Sequence, residues 1–175
     1  MIRIERQTEP DIFRSPGIRK EYELAKNFYQ DPSNIRNQSR FEFKALTTRQ
    51  VKEALKKNFN NKCAFCESPV GVISSGDLEL FRPKGGALDL KKKLDPDHYW
   101  WLYYEWRNYY LSCEICNRRK KNIFPVDGPR MTLLAPYSEV LKEKNLLLDP
   151  CNDDPGKHIE FNDQSVMLQI VINSS

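Results

Sequence analysis

The clearest chemical feature of the chain is two pairs of cysteines with the spacing C-x-x-C, Cys63 with Cys66 and Cys113 with Cys116. Four thiolates held in two such turns can close a tetrahedral zinc site. Four protein ligands leave no open coordination position, so the pattern predicts a structural zinc rather than a catalytic one. The alternative is two redox-active or simply buried cysteine pairs. Cys151 belongs to neither pair and is expected to be a buried thiol.

Between the cysteine pairs lies a second group of chemically suggestive residues, the stretch DLELFRPKGG at residues 77–86. The second pair runs directly into the basic stretch NRRKK at residues 117–121. Arginine grips phosphate oxygens with two parallel hydrogen bonds, whereas lysine acts as a point charge. A zinc ion that pins both cysteine pairs would present the intervening residues as a fixed loop beside this basic segment.

Composition limits the classes of function. The chain has 175 residues, 39% of them hydrophobic and 30% charged, with a formal net charge of +4. The positive excess lies in residues 1–125, which is weak support for a polyanionic partner, whereas residues 126–175 are acidic overall. The start lacks a secretory signal and no apolar run approaches the ~20 residues of a membrane helix, so we expect a cytoplasmic protein that does not enter a membrane. Metal binding is then more plausible than disulfide formation.

Three segments are expected along the chain. Residues 1–59 form an N-terminal arm followed by helices over 17–30 and from Thr47 or Thr48 to Phe59. Residues 60–126 form the core around the cysteines. Residues 127–175 form a C-terminal segment that we predict to face a partner.

Within the core, residues 77–82 are predicted to form a strand, 87–97 an exposed loop, and the basic residues after Cys116 a short helix. The aromatic run 99–106 is expected to pack in the interior, with a partner surface as the next interpretation. Residues 166–172 are a candidate strand. The fold class is therefore α+β and mainly helical.

The order of these residues resembles the zinc-stapled members of the HNH endonuclease family, which carry C-x-x-C, [DE]-H-x-x-P, N and C-x-x-C-N-x-x-K. The matching positions are Cys63, Cys66, Glu79, Pro83, Asn108, Cys113, Cys116, Asn117 and Lys120, and Leu80 occupies the position of the histidine. Longer phrases across residues 60–162 are similar to PtuB-type HNH proteins, the nuclease partners of the PtuA ATPase in Septu and some retron antiphage systems. These phrases are CAFCE, FRPK, YWWL, LSCEICN, KNIFP and LDPCNDDP.

The resemblance implies a core of two strands and a helix around a catalytic Mg²⁺ or Mn²⁺, in addition to the zinc. It implies that Glu79 and Asn117 bind this divalent cation and that Asn108 orients the loop carrying the general base. Arg82, Lys84, Arg118 and Lys120 are then the candidate contacts to the phosphates of DNA or RNA. The family mechanism is metal-assisted hydrolysis of a phosphodiester, in which a histidine deprotonates the attacking water.

Leu80 stands where the family has that histidine. A leucine cannot accept a proton, and loss of a general base costs about 10²–10⁴-fold in rate. Three explanations stay open: an engineered inactive form, a natural pseudo-nuclease, or a base supplied by another group such as His98. His98 matches no motif position, and His158 is expected to be structural.

The resulting hypothesis is a nuclease subunit, impaired by Leu80, that works in antiphage defence with a PtuA-like ATPase. A retron reverse transcriptase and its nucleic acid are further expected partners, and the pattern of the family continues past the last residue of this chain. ATP hydrolysis is not expected in this chain, which lacks the phosphate-binding motif G-x-x-x-x-G-K-[ST]. The first rival is a non-catalytic zinc module that binds nucleic acid or a protein. The second is a structural subunit of an assembly.

Overall fold

The computed structural model describes residues 1–36, 39–46, 48–71, 75–96, 98–162 and 165–170, and it shows the predicted mixture of helices and strands. The α-helices are α1 (Pro16–Gln30), α2 (Pro32–Arg36), α3 (Thr48–Asn58), α4 (Glu114–Lys120) and α5 (Tyr137–Val140). The strands are β1 (Asp77–Leu80), β2 (Ala87–Leu88), β3 (Leu94–Asp95), β4 (Tyr109–Ser112), β5 (Ile159–Asn162) and β6 (Ser165–Ile170). Short 3₁₀ helices cover Asp11–Arg14, Trp100–Tyr104, Trp106–Asn108 and Pro155–Lys157.

Strands β1 and β4 pair antiparallel and carry the candidate site. The register places Glu79 opposite Tyr110 and Leu80 opposite Tyr109. Helix α4 follows β4 after one residue, Cys113, so the central unit is two antiparallel strands and a helix. Because β1 and β4 are far apart in the sequence, their pairing depends on the packing of the segments between them rather than on a tight turn.

The aromatic run after β3 fills the interior, in agreement with the packing interpretation. Trp100, Trp101, Tyr103 and Trp106 are each less than 10% exposed. The Tyr29 ring stacks on Trp100 with centroids 4.8 Å apart, which fixes α1 against this run. One hydrophobic cluster extends from Phe13 to Val140, so residues from distant parts of the chain share a single core.

The N-terminal residues cross this core as an extended strap. The Arg6 guanidinium donates to the backbone oxygens of Tyr109 (2.5 Å) and Arg107 (2.9 Å). It also lies over the Tyr110 ring, 4.1 Å from the centroid. The strap is therefore attached to β4 and to the residue pair before it through one arginine side chain.

Both predicted N-terminal helices are present. Ser15 caps α1, accepting a hydrogen bond from the Ile18 amide, and Pro16 occupies the first helical position. Helix α3 begins at Thr48 and buries Val51 and Leu55, whereas the alternative cap Thr47 lies outside the described residues.

The expectation of a loop over 87–97 was wrong, because β2 and β3 form a short antiparallel hairpin there. The loop interpretation followed the charged tip of this hairpin and missed the pairing of Leu88 with Leu94. Strand β1 ends at Leu80, two residues before the predicted end. The predicted C-terminal strand corresponds to β6, which pairs with β5, and residues 171–172 lie outside the description. No helix in the described parts of the chain has the length and apolar character needed to cross a membrane.

Candidate metal centre and carboxylate cluster

The four paired cysteines converge, although 47 positions separate Cys66 from Cys113. The Sγ atoms of Cys63, Cys66, Cys113 and Cys116 all lie within 4.8 Å of one another. The Sγ atoms of Cys66 and Cys113 are 3.7 Å apart, and a tetrahedron with zinc–sulfur bonds of about 2.3 Å has edges of about 3.8 Å. The four cysteines are therefore compatible with a zinc site in both donor type and spacing.

Backbone hydrogen bonds shape each cysteine turn. The Glu67 amide donates to the Cys63 carbonyl (2.9 Å), and Glu67 takes the left-handed conformation with φ of 62°. In the second turn the Asn117 amide donates to the Cys113 carbonyl (3.0 Å). The Ala64 amide also donates to the Leu111 carbonyl (2.8 Å), which attaches the first turn directly to β4.

Next to this metal centre, β1 and α4 form a polar cluster of four side chains, which we call the carboxylate cluster: Asp77, Glu79, Asn117 and Lys120. Glu79 is buried, and its Oε1 lies 2.7 Å from the Lys120 Nζ. The Asn117 Nδ2 donates to the Asp77 Oδ2 at 2.9 Å. Because side chains alternate along a strand, Asp77 and Glu79 project from the same face of β1, toward α4.

Burial dominates the electrostatics of this cluster. It raises the pKa of the Glu79 carboxyl, an effect that the Lys120 ammonium opposes and the neighbouring Asp77 carboxylate reinforces. It lowers the pKa of the Lys120 ammonium, against the attraction of Glu79. Each charged group is therefore costly to bury alone, and the 2.7 Å ion pair is what makes both tolerable.

Asn108 fixes the loop that leaves β1. Its Oδ1 accepts a hydrogen bond from the Arg82 amide (2.8 Å), and its Nδ2 donates to the carbonyl oxygens of Arg82 (2.9 Å) and Leu102 (3.1 Å). The side chain is 1% exposed. Asn108 thus joins the β1 loop to the buried aromatic run. Its predicted influence on a catalytic base two residues before Arg82 stays a prediction.

Arg82, a predicted phosphate contact, lies in the interior of the protein. Its guanidinium is buried, with Nε 3.0 Å from the Glu143 Oε2 and Nη2 3.0 Å from the Val140 carbonyl oxygen. It also packs against the Phe124 ring, 4.9 Å from the centroid. This arginine connects the β1 loop to the C-terminal segment and does not face a ligand in the solvent.

The other three predicted phosphate contacts differ in their surroundings. Lys84 is half-buried, with Nζ 4.3 Å from the Tyr103 ring centroid, and burial lowers its pKa. Lys120 is engaged in the carboxylate cluster. Arg118 is exposed and pairs with Glu114 one turn earlier on α4, so it is the most accessible of the predicted set. The proposed alternative base, His98, is buried with its Nδ1 3.3 Å from the Asp95 Oδ2.

Sequence reasoning missed two residues of this region. Asp77 carries a signal that could have found it, because it lies two positions before Glu79 in a predicted strand and hence on the same face. Glu143 carries no such signal, since 61 positions separate it from Arg82.

Leu80, the residue at the general-base position of the motif, is half-buried and packs against the hydrophobic core.

The donor types in the carboxylate cluster fit a hard divalent cation, because carboxylate and amide oxygens are the ligands that Mg²⁺ and Mn²⁺ take. The arrangement is less open than the resemblance implies. The Glu79 Oε1 already contacts an ammonium group, and Asn117 directs its amide nitrogen to Asp77. The role of Glu79 and Asn117 as cation ligands remains a prediction.

The fold and site together define a small α+β protein with a four-cysteine cluster compatible with zinc. In sequence the chain is similar to Septu protein PtuB of Bacillus mycoides (strain KBAB4), with 38% identity over 175 residues, which is 95% of this chain and 57% of that protein. It is also similar to Septu protein PtuA of the same strain, with 35% identity over 119 residues, which is 67% of this chain and 16% of that protein.

These similarities confirm the predicted closeness to PtuB-type subunits. The chain spans little more than half the length of that PtuB and about a sixth of that PtuA. No family model matches the chain, and no solved structure matches it. The HNH endonuclease class consequently stays a prediction drawn from the motif.

Proposed function

We propose that this chain is an HNH-type nuclease subunit of a Septu-like antiphage system, in which Leu80 at the general-base position leaves nucleic-acid binding in place and impairs cleavage. The observation that carries the proposal is the position of the carboxylate cluster. Glu79 on β1 and Asn117 on α4 belong to this cluster beside the four cysteines, and Asn108, just before β4, bonds to the loop that leaves β1. Their order along the chain is the order of the motif. The similarity to a PtuB protein supports the biological setting.

In this proposal the two metal sites have different tasks. A zinc ion held by the four cysteines fixes α4 against β4 and leaves no position for substrate. Asp77, Glu79 and Asn117 offer oxygens to Mg²⁺ or Mn²⁺, which when bound stabilises the negative charge that develops on a phosphodiester. Asn108 keeps the loop after β1 in one conformation, and Arg118 is the exposed side chain available to a phosphate.

Leu80 decides what the remaining residues can achieve. Its side chain has no lone pair to accept a proton, so water must lose its proton to solvent or to a poorly placed group. The residues that bind and orient nucleic acid do not depend on this position. The expected result is a subunit that holds its substrate and hydrolyses it slowly.

The partner in this proposal is a PtuA-like ATPase. The similarity between this chain and a 119-residue segment of a PtuA protein supports it, because a related sequence occurs there within one polypeptide together with the rest of PtuA. DNA and RNA are both kept as substrates, and a retron reverse transcriptase stays a prediction of the resemblance alone.

Leu80→His is the variant that tests the nuclease assignment. In the presence of the ATPase partner and Mg²⁺ or Mn²⁺, it is expected to raise cleavage of DNA or RNA by about 10²–10⁴-fold over the unaltered chain. Leu78→His is the matched control, because it makes the same change on the same strand at a position that the motif does not use. Glu79→Ala combined with Leu80→His should remove the gain.

The rival non-catalytic zinc module gives a different outcome. If Leu80→His is folded, metal-loaded and bound to its partner but cleaves no faster than Leu78→His, the nuclease assignment fails. Retained nucleic-acid or partner binding in that protein would then favour the non-catalytic module.

A further inference from the structure

Lys120 occupies a complete cation site made by the protein itself. An ammonium group has three N–H donors, and three oxygen atoms lie within reach of the Lys120 Nζ. These are the Glu79 Oε1 at 2.7 Å, the Leu80 carbonyl oxygen at 2.8 Å and the Lys121 carbonyl oxygen at 3.4 Å. A carboxylate and two carbonyl oxygens are also the kind of ligand set that a hard metal cation takes.

The local structure holds the ammonium in this position. Helix α4 ends at Lys120, and lysine side chains near a helix C-terminus bond to its last carbonyl groups and are favoured by the helix dipole. The side chains of Lys120 and Glu79 are 10% and 6% exposed. A buried carboxylate requires a compensating positive charge, and Lys120 provides it without any added ion.

A divalent cation at Glu79 would have to share this space with the ammonium. Two positive charges held against one buried carboxylate oxygen repel each other strongly, because the surroundings screen them poorly. The cation and the lysine therefore compete for Glu79. Lys121, the next residue, has an exposed side chain for which no such contact is found among the described residues.

We propose that Lys120 is the resident cation of the carboxylate cluster and that a divalent metal ion binds at Glu79 only by displacing the Lys120 ammonium. This inference rests on the proposed function, because it takes Glu79 as the ligand of the catalytic cation. On this inference, the Lys120 side chain determines how tightly the carboxylate cluster binds a divalent cation.

Titration of the zinc-loaded protein with Mn²⁺, followed by the loss of the free Mn²⁺ signal in electron paramagnetic resonance, tests the inference. Lys120→Met removes the competing charge and is expected to bind one Mn²⁺ at least tenfold more tightly than the unaltered protein. Lys121→Met removes the same charge one residue away and is expected to leave the affinity unchanged. Glu79→Gln added to Lys120→Met should abolish the tight binding.

Two results would overturn the inference. One is a folded Lys120→Met that binds Mn²⁺ no more tightly than Lys121→Met. The other applies even if Lys120→Met fails to fold: a folded Lys120→Gln that binds Mn²⁺ no more tightly than Lys121→Gln. Because the titration uses neither nucleic acid nor partner, its failure is distinct from a failure of Leu80→His to cleave.

Discussion

Arg82 and Glu143 form a fully buried salt bridge, with Nε and Oε2 3.0 Å apart and the two side chains 1% and 0% exposed. The second oxygen of Glu143 accepts hydrogen bonds from the Tyr99 hydroxyl (2.7 Å) and the Met131 amide (2.9 Å). One carboxylate thus joins the β1 loop, the aromatic run and the C-terminal segment.

Arg82→Met is expected to lower the free energy of unfolding by about 3–5 kcal/mol, because it leaves the Glu143 charge buried without its partner. Urea unfolding followed by tryptophan fluorescence measures the change. Lys142→Met is the control, since it breaks an exposed pair with Glu139 (2.8 Å) that should contribute less than about 1 kcal/mol. Equal losses in the two variants would contradict the role assigned to the buried pair.

Asn108→Ala should destabilise the fold by about 2–3 kcal/mol, because the Arg82 amide and two buried carbonyl groups lose their hydrogen-bond partner. The same unfolding experiment applies. Asn122→Ala removes a long, exposed hydrogen bond to the Gly85 carbonyl (3.5 Å) and should change stability by less than about 0.5 kcal/mol. If Asn108→Ala proves as stable as Asn122→Ala, the hydrogen bonds of the Asn108 side chain are not needed to hold the loop after β1.

The purified protein is expected to contain one zinc per chain and to unfold when a strong chelator removes it, since structural zinc contributes folding free energy directly. Metal analysis and circular dichroism measure the two effects. The variant Cys63→Ser should bind no zinc and should be unfolded. The variant Cys151→Ser, which lies outside the cluster, should keep both its zinc and its folded structure. A folded, reduced protein without zinc would refute the assignment.

Co-expression with a PtuA-like ATPase is expected to give a stable complex in size-exclusion chromatography. The expectation follows from the similarity to PtuB and to a segment of PtuA. An ATPase from an unrelated defence system provides the control for nonspecific association. A protein that stays free of the PtuA-like ATPase at micromolar concentrations would argue for a subunit that acts alone.

Local patterns were the part of the fold that could be predicted. Ser15 before Pro16 marks the start of α1 through a hydrogen bond to the nearby Ile18 amide. The spacing of Val51 and Leu55 likewise marks α3 as a helix with one buried face. The convergence of the cysteine pairs was also predictable, because C-x-x-C turns restrict which ligand geometry can form.

Contacts between residues that are distant in the sequence could not be predicted. Arg82 is a reasonable phosphate ligand by residue type, and only the folded chain reveals that Glu143 neutralises it in the interior. The contact of Lys120 with Glu79 also could not be predicted. The motif contains both residues but does not indicate that their side chains form an ion pair. Residue type limits the chemistry of a side chain, whereas long-range packing decides whether it faces a ligand or another residue.

The wide spacing of the cysteine pairs has a consequence during protein synthesis. Cys66 leaves the ribosome 47 residues ahead of Cys113, which at about 5–20 residues per second is a delay of roughly 2–10 s. Throughout that interval the first pair exists as two free thiols on a nascent chain, while the strand that anchors it, β4, has not yet been made. Oxidants and competing metal ions can reach the incomplete site during this period, so the yield of correctly metallated protein should depend on the rate of translation and on the supply of zinc at that moment.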